Sequence, residues 1–230
     1  AKEAFQRRGQ SFLPLFPLSF SGMPFFKHFR FYRIEPREIK TTVKNDDDFE
    51  LSENGCNLPA VLSRLETNKS IRETINEWME LIIPGLEQVR TQTERLTGEI
   101  VLAFQEENVA QAFPAHLISD GTLYLLSLLV AILDRPDFGA TLIEEPERGL
   151  HPQAIMELVD SFREQATYQR PIWITTHNEA LVRSLKNNEL WLVDKKQGVT
   201  QMKQVQVVDK LASSLDQAWL TNALGGGLPW

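Results

Sequence analysis

Two adjacent glutamates close an apolar run in ATLIEEPERGLHP, residues 140–152. Like charges that close repel, so Glu144 and Glu145 require a cation, a proton or open water. Successive side chains at a strand end point in different directions. One carboxylate can therefore hold a hard divalent ion while the other prepares an attacking water. A second apolar run, PIWITT, ends at Thr175, Thr176 and His177. A third group, Ser119-Asp120-Gly121-Thr122, opens a long apolar segment. There it offers free N–H groups and two hydroxyls at a helix N-terminus, which attracts anions, phosphate above all. In open parallel sheets ligands bind beyond the carboxyl ends of the strands. If the two strands are neighbours, all three groups open onto one crevice.

Each feature also has a plainer reading. Adjacent glutamates are by themselves usually a solvated turn. His177 alone would cap a helix or sit hydrogen-bonded in the core, and Ser119 alone is an ordinary N-cap. Glu147 and His151 are four apart, a zinc spacing on a helix, but Gly149 and Pro152 argue against a helix between them. The basic stretch KHFRFYRIEPREIK reads better as a solvated strand face, with Glu35 and Glu38 as partners, than as a phosphate-binding strip. Trp78, Trp173 and Trp191 fit core positions. Cys56 reads as a loop thiol, with no histidine near it in sequence.

The elements that must position these groups follow from periodicity. FRFYRIEP (29–36) reads as a strand. Residues 44–57 form an acidic loop, and Asn57 caps a short helix with Pro59 in its first turn. SIRETINEWMELII is a helix with a Ser70–Glu73 capping box and Ile71, Ile75, Trp78 and Ile82 facing the core. Val89 to Thr93 and Ile100 to Phe104 alternate around Thr97-Gly98, the pattern of a β-hairpin. From residue 119 the order changes to helix, strand, helix, strand, helix, strand: SDGTLYLLSLLVAILD, ATLIE, HPQAIMELVDSFREQA, PIWITT, NEALVRSL and ELWLV. That is the grammar of an α/β protein whose parallel sheet is covered on both faces. VTQMKQVQV adds an edge strand, and the tail reads as a helix followed by a glycine run. Proline-broken, phenylalanine-rich residues 1–28 read as an extended segment packed on something else.

Composition sets outer bounds. The 230 residues are 42% hydrophobic and 24% charged, with net charge −7. This fits a globular protein with a real core and argues against a broad nucleic-acid-coating surface. Apolar stretches fall short of the ~20 residues that span a bilayer, so no membrane association is expected. One cysteine permits no internal disulfide, so a reducing cytoplasm is the expected location.

The ordered set ISDGTLYLLSLL, TLIEEPERGLHP and WITTHN resembles the C-terminal lobe of ABC-type ATPases of the SMC, RecF and OLD-like branch, and within it the AAA_21/AAA15 predicted ATPases. FYRIEP and ENGCNLPAVLSRL resemble further segments of that family, so the likeness covers roughly residues 29–205. It implies a P-loop NTPase fold, with residues 1–57 an irregular and β segment and 58–118 a helical and hairpin insertion. Residues 119–205 would be the lobe carrying the three motifs, and 206–230 a tail. It implies ATP and Mg²⁺ as cofactors. Glu144 matches the Walker B acid that holds Mg²⁺, and Glu145 the catalytic glutamate. His177 matches the residue that contacts the γ-phosphate. Ser119, Asp120, Gly121 and Thr122 lie in the signature motif, which covers the nucleotide of the opposite subunit. Gly149 to His151 fall in the D-loop, where many relatives have Asp in place of His151.

One departure is plain. No Gly-Lys-Ser or Gly-Lys-Thr, the end of a phosphate-binding loop, occurs in these 230 residues. The expectation is therefore that the first lobe, with its Walker A loop, is missing. The ATPase would then work as a homodimer or with a partner chain carrying that loop, with DNA or a nuclease as a further partner. The alternative is a non-catalytic dimerisation module. No Toprim-like acidic cluster follows residue 205 to suggest a fused nuclease.

Overall fold

A computed structural model describes residues 28–40, 43–44, 50–205 and 214–225. The phenylalanine-rich segment 1–27 and the glycine run after Gly225 lie outside the described residues, as does part of the acidic loop.

The described residues begin with β1 (Arg30–Tyr32) and a helical turn, α1 (Pro36–Ile39), so the strand expected over 29–36 stops where Pro36 starts a helix. Then come β2 (Val43–Lys44), α2 (Leu58–Leu65) and α3 (Lys69–Ile82). The hairpin of β3 (Leu86–Thr93) and β4 (Glu99–Glu106) follows, then β5 (Phe113–Pro114). The second half contains α4 (Asp120–Leu133), β6 (Thr141–Glu144), α5 (Pro152–Gln165), β7 (Ile172–Thr175) and α6 (Glu179–Ser184). It ends with β8 (Trp191–Lys196), β9 (Val199–Gln204) and α7 (Leu215–Leu220).

Among the described residues three sheets form. The parallel sheet has the order β1-β6-β7, with Phe31, Leu142 and Trp173 in one row and Glu144 opposite Thr175. The expected hairpin is present: β3 and β4 pair antiparallel, and β2 and β5 pair with β4. The expected third parallel strand, ELWLV, instead forms an antiparallel ribbon with β9, and β1 takes the third place in the parallel sheet. The turn Gln197-Gly198 explains this. Both residues have positive φ, the geometry that folds a strand back on its neighbour. VTQMKQVQV is accordingly half of a ribbon and no edge of the parallel sheet.

The centre of the molecule is α4. Leu123 to Ile132 are buried without a break, as an apolar helix with no polar stripe must be. The Ser127 hydroxyl within it donates to the Leu123 carbonyl at 2.8 Å. Tyr32 and Ile143 on one sheet face share a core with α4, α2 and α3. Ile155, Val159 and Leu181 pack as a separate group with Ile174. A third cluster joins Val182, Leu192, Ala218 and Trp219, so α7 closes on α6 and the ribbon. Among the described residues, no helix is long and apolar enough to cross a membrane.

Local capping departs from expectation twice. Asn68, not Ser70, caps α3 and accepts from the N–H groups of Ser70 and Ile71. Asn57 stands at the N-cap of α2, but its side chain turns back to hold the preceding loop. It accepts from the Ser52 N–H and hydroxyl, both at 2.8 Å, and donates to the Glu50 carbonyl at 2.9 Å. An Asx side chain can serve either the helix or the turn before it, and here the turn prevails. Trp78 is in the core as expected, but Trp173 and Trp191 are not, at 38% and 43% exposed. Both alternate outward on strands whose other face is packed, Trp173 with its ring edge-on to Phe29.

Candidate functional site

β6 delivers the acidic doublet at its carboxyl end. Thr141 and Ile143 face the core, and Glu144 emerges half-exposed with one loose contact, Arg33 Nε at 3.9 Å. Glu145 leaves the strand in a left-handed backbone conformation, φ 46°. Non-glycine residues rarely adopt it, because Cβ crowds the carbonyl. Three hydrogen bonds fix it there. Its N–H donates to the Thr175 carbonyl at 2.9 Å, and its carbonyl accepts from the Arg148 N–H at 3.1 Å and the Tyr124 hydroxyl at 2.8 Å. The phenol comes from buried α4, so the central helix sets the backbone of the doublet. Burial drives the Tyr124 pKa well above the usual range, so the hydroxyl keeps its proton.

Glu144, Glu145, Arg33, Ile34, Tyr124 and Arg148 line a pocket of about 20 Å³, roughly the room of one water. Arg148 Nη2 donates to the Ile34 carbonyl at 3.0 Å, lies 3.4 Å from a Glu35 carboxylate oxygen, and its guanidinium stands 6.0 Å from the Tyr124 ring centre. Glu35 thus pairs with Arg148, outside the basic stretch.

The second strand end adjoins the first through backbone. Glu144 lies opposite Thr175, and His177 follows two residues later with an exposed side chain. Asn178 caps α6, accepting from Ala180 and Leu181. The third group also converges. Ser119 caps α4, its hydroxyl oxygen 3.1 Å from the Thr122 N–H and 2.8 Å from the Thr122 hydroxyl. Asp120 forms an ion pair with Lys40 at 2.7 Å, and the lysine holds its carboxyl below the usual range. Gly121 meets the turn after the doublet so closely that a Cβ would stand 2.8 Å from the Gly149 carbonyl oxygen. Gly149 has φ 76°, which suits glycine at this turn. Backbone contacts thus bring the three motifs next to the end of β6, but neither His177 nor residues 119–122 line the pocket there.

Two residues take local roles that the sequence did not suggest. His151 caps α5, its Nδ1 accepting from the Gln153 N–H at 3.2 Å. Glu147 is buried at 7% exposure, and its Oε1 accepts from the Thr176 hydroxyl at 2.6 Å. Burial raises its pKa, against the Thr176 hydroxyl and nearby backbone N–H groups. Sequence offered Glu147 only as half of a zinc spacing. The usable signal was Thr176, a hydroxyl two residues before a cap.

Glu144 and Glu145 supply hard oxygen donors at a strand end open to water, and among the described residues no larger metal-ligating cluster forms. Mg²⁺ is commonly held in this way, by one or two carboxylates, waters and substrate phosphates, so the residues fit that ion. The pocket has about the room of one water and does not enclose a nucleotide.

Residues 37–183 match the family described as "AAA domain, putative AbiEii toxin, Type IV TA system". The chain belongs to this AAA family. It is an AAA-type ATPase domain, and solved structures similar to it carry the same P-loop NTPase fold. One is an SMC ATPase from a study of ATP-driven dimerisation and DNA-stimulated activation. It is 15% identical over 70% of this chain and 93% of that one, with TM-score 0.51. Another is an SMC head bound to the C-terminal winged-helix domain of ScpA, 14% identical over 64% of this chain and 46% of that one, TM-score 0.50. At such identities the likeness establishes fold. No curated protein matches the sequence significantly.

Proposed function

We propose that this AAA domain supplies the metal-holding and water-activating side of a Mg²⁺-dependent ATPase site. The phosphate-binding loop would come from a segment or chain beyond these 230 residues, and the enzyme would act as a dimer. The observation that carries the reading is the doublet itself. Glu144 and Glu145 line one pocket at the end of a parallel strand, and Glu145 is held in a costly backbone conformation by three hydrogen bonds. Strain so maintained is characteristic of functional sites. Bound Mg-ATP would bring a phosphoryl group whose transfer depends chiefly on alignment and charge neutralisation. Glu144 would hold the metal through water. Glu145 would orient the attacking water and accept its proton. His177, exposed at the neighbouring strand end, would reach the terminal phosphate. Ser119 to Thr122 would face the phosphates bound by the opposite subunit. Coupling to DNA processing or phage defence is supported by the family description and by the DNA stimulation named for the SMC relative. Action in the cytoplasm fits the single cysteine.

The test is phosphate release by the chain alone and mixed with a polypeptide carrying a Gly-x-x-x-x-Gly-Lys-Ser/Thr loop, with Mg²⁺ or chelator and with or without DNA. Turnover is expected only with both the loop and Mg²⁺. Glu145→Gln should lower it on the order of 100-fold, a typical effect of losing one transition-state contact, while ATP gathers the variant into dimers visible by light scattering. Turnover indifferent to Glu145→Gln would refute the assignment. Absence of turnover in every mixture would favour the second reading, a non-catalytic interaction module. The lack of Gly-Lys-Ser/Thr in the sequence is what speaks for it.

A further inference from the structure

Glu147 plays no part in the roles just assigned, yet it is among the few buried charged residues of the chain. A carboxyl taken from water needs compensation, and removing its partner leaves a cost on both sides. Here the compensation is directional. The Thr176 hydroxyl donates to Glu147 Oε1 at 2.6 Å, and the same hydroxyl oxygen accepts from the Asn178 N–H at 2.9 Å. Asn178 Oδ1 then accepts from the Ala180 and Leu181 N–H groups at the start of α6. The residues on either side of His177 are thus both fastened, and the line of bonds begins three residues beyond Glu144, in the turn that carries the doublet. The imidazole itself stays exposed. Such an arrangement fixes where the imidazole starts from without occupying its nitrogen atoms.

We propose that Glu147 is the positioning residue for His177. Its carboxyl latches the Thr176–Asn178 loop to the Glu144–Glu145 turn, so that the two strand ends move as one unit. The role rests on the ATPase reading only for its functional consequence; the latch is a property of the chain by itself.

Hydrogen exchange of the whole chain without nucleotide tests the latch directly. Glu147→Ala and Thr176→Val should each speed exchange of the 177–181 amides by roughly tenfold or more, while amides of α4 and β6 keep their protection. Glu147→Gln retains an acceptor for the Thr176 hydroxyl and should stay near wild type. Acceleration spread evenly through α4 and β6 would mark Glu147 as a general stabiliser and overturn the proposal. So would unchanged 177–181 amides in both Glu147→Ala and Thr176→Val, or Glu147→Gln behaving like Glu147→Ala. Thr176→Val probes the same bond from the partially exposed side should Glu147→Ala fold poorly. In an active assembly, Glu147→Ala should lower kcat with little change in KM and add almost nothing to His177→Ala, as expected of residues acting through one another. If no assembly turns over, the ATPase reading fails while the exchange result still decides the latch. If turnover occurs and the two losses multiply, the positioning role is refuted.

Discussion

The backbone of Glu145 permits an unusual prediction: at this position glycine should be more stabilising than alanine. With φ 46° the residue sits in the left-handed region, which costs a residue bearing Cβ about 1–2 kcal/mol. Glycine avoids that cost but loses more backbone entropy on folding, about 0.5–1 kcal/mol relative to alanine. Glu145→Gly should therefore exceed Glu145→Ala by about 0.5–1 kcal/mol. None of the three bonds that hold the turn, to Thr175, Arg148 and Tyr124, uses the Glu145 side chain, so both variants keep them. For a chain of this size 1 kcal/mol moves Tm by about 2–4 °C, and urea titration with a shared slope resolves the same difference in midpoint. Both variants lose the carboxylate, so both should be inactive wherever wild type turns over. Alanine equal to or more stable than glycine would refute the claim that this turn stores strain for the sake of the carboxylate.

Other substitutions read the frame around the site. Gly121→Ala would bring a Cβ to 2.8 Å from the Gly149 carbonyl oxygen, so α4 or the turn must shift. A loss of about 1–3 kcal/mol, typical of overpacking, should appear in denaturant melts. Arg135 is buried and donates to the carbonyls of Ile132, Gln165 and Arg170, tying the last turns of α4 and α5 together; burial pushes its pKa down to about 10. Arg135→Met leaves those carbonyls without their donor and should cost about 2–4 kcal/mol, measured by urea midpoint. Asp216 accepts from Arg183 Nε at 2.8 Å, and that arginine lowers its pKa to about 2 from the ordinary 3.8. A depressed carboxyl stabilises the fold above its unfolded pKa and loses that effect as pH falls through its folded one. Because the Arg183 side chain is 62% exposed, solvent screening leaves about 1 kcal/mol. The stability gap between wild type and Asp216→Asn should be constant from pH 5 to 7 and close between about pH 4 and 2.

What was legible in the sequence was what depends on period and on strand ends. Leu123 to Ile132 could only be a buried helix, and ATLIE and PIWITT read as short strands, so the doublet and His177 were placed correctly at the ends of paired strands, though PIWITT is half-exposed rather than buried. The β3–β4 hairpin was legible through alternation around Thr97-Gly98. ELWLV was misplaced because a buried-looking strand carries no mark of which neighbour it will choose. The deciding signal lay outside it, in Gln197-Gly198. The outward-facing tryptophans were misread because residue type says apolar while only the alternation with Leu192 and Ile174 says which face is packed. Glu147 was hidden for a different reason. A buried carboxyl is recognisable only with its partner, and Thr176 stands 29 residues away.

These readings join in one physical point. The side chains of Glu144, Glu145 and His177 are brought near by bonds that belong to other atoms. Tyr124 and Thr175 hold the Glu145 backbone, Glu147 and Thr176 hold the loop around His177, and Gly121 admits the Gly149 carbonyl because it has no side chain. Reactive groups that spend their own hydrogen bonds on mutual support arrive at a substrate already satisfied. Here the supporting bonds run through the main chain and through residues one or two positions removed, so the carboxylates and the imidazole remain open toward water. A preorganised site needs this division of labour. It also explains why substitutions at Tyr124, Glu147 or Gly121 should disturb the geometry of the site without removing any group that would meet a phosphate.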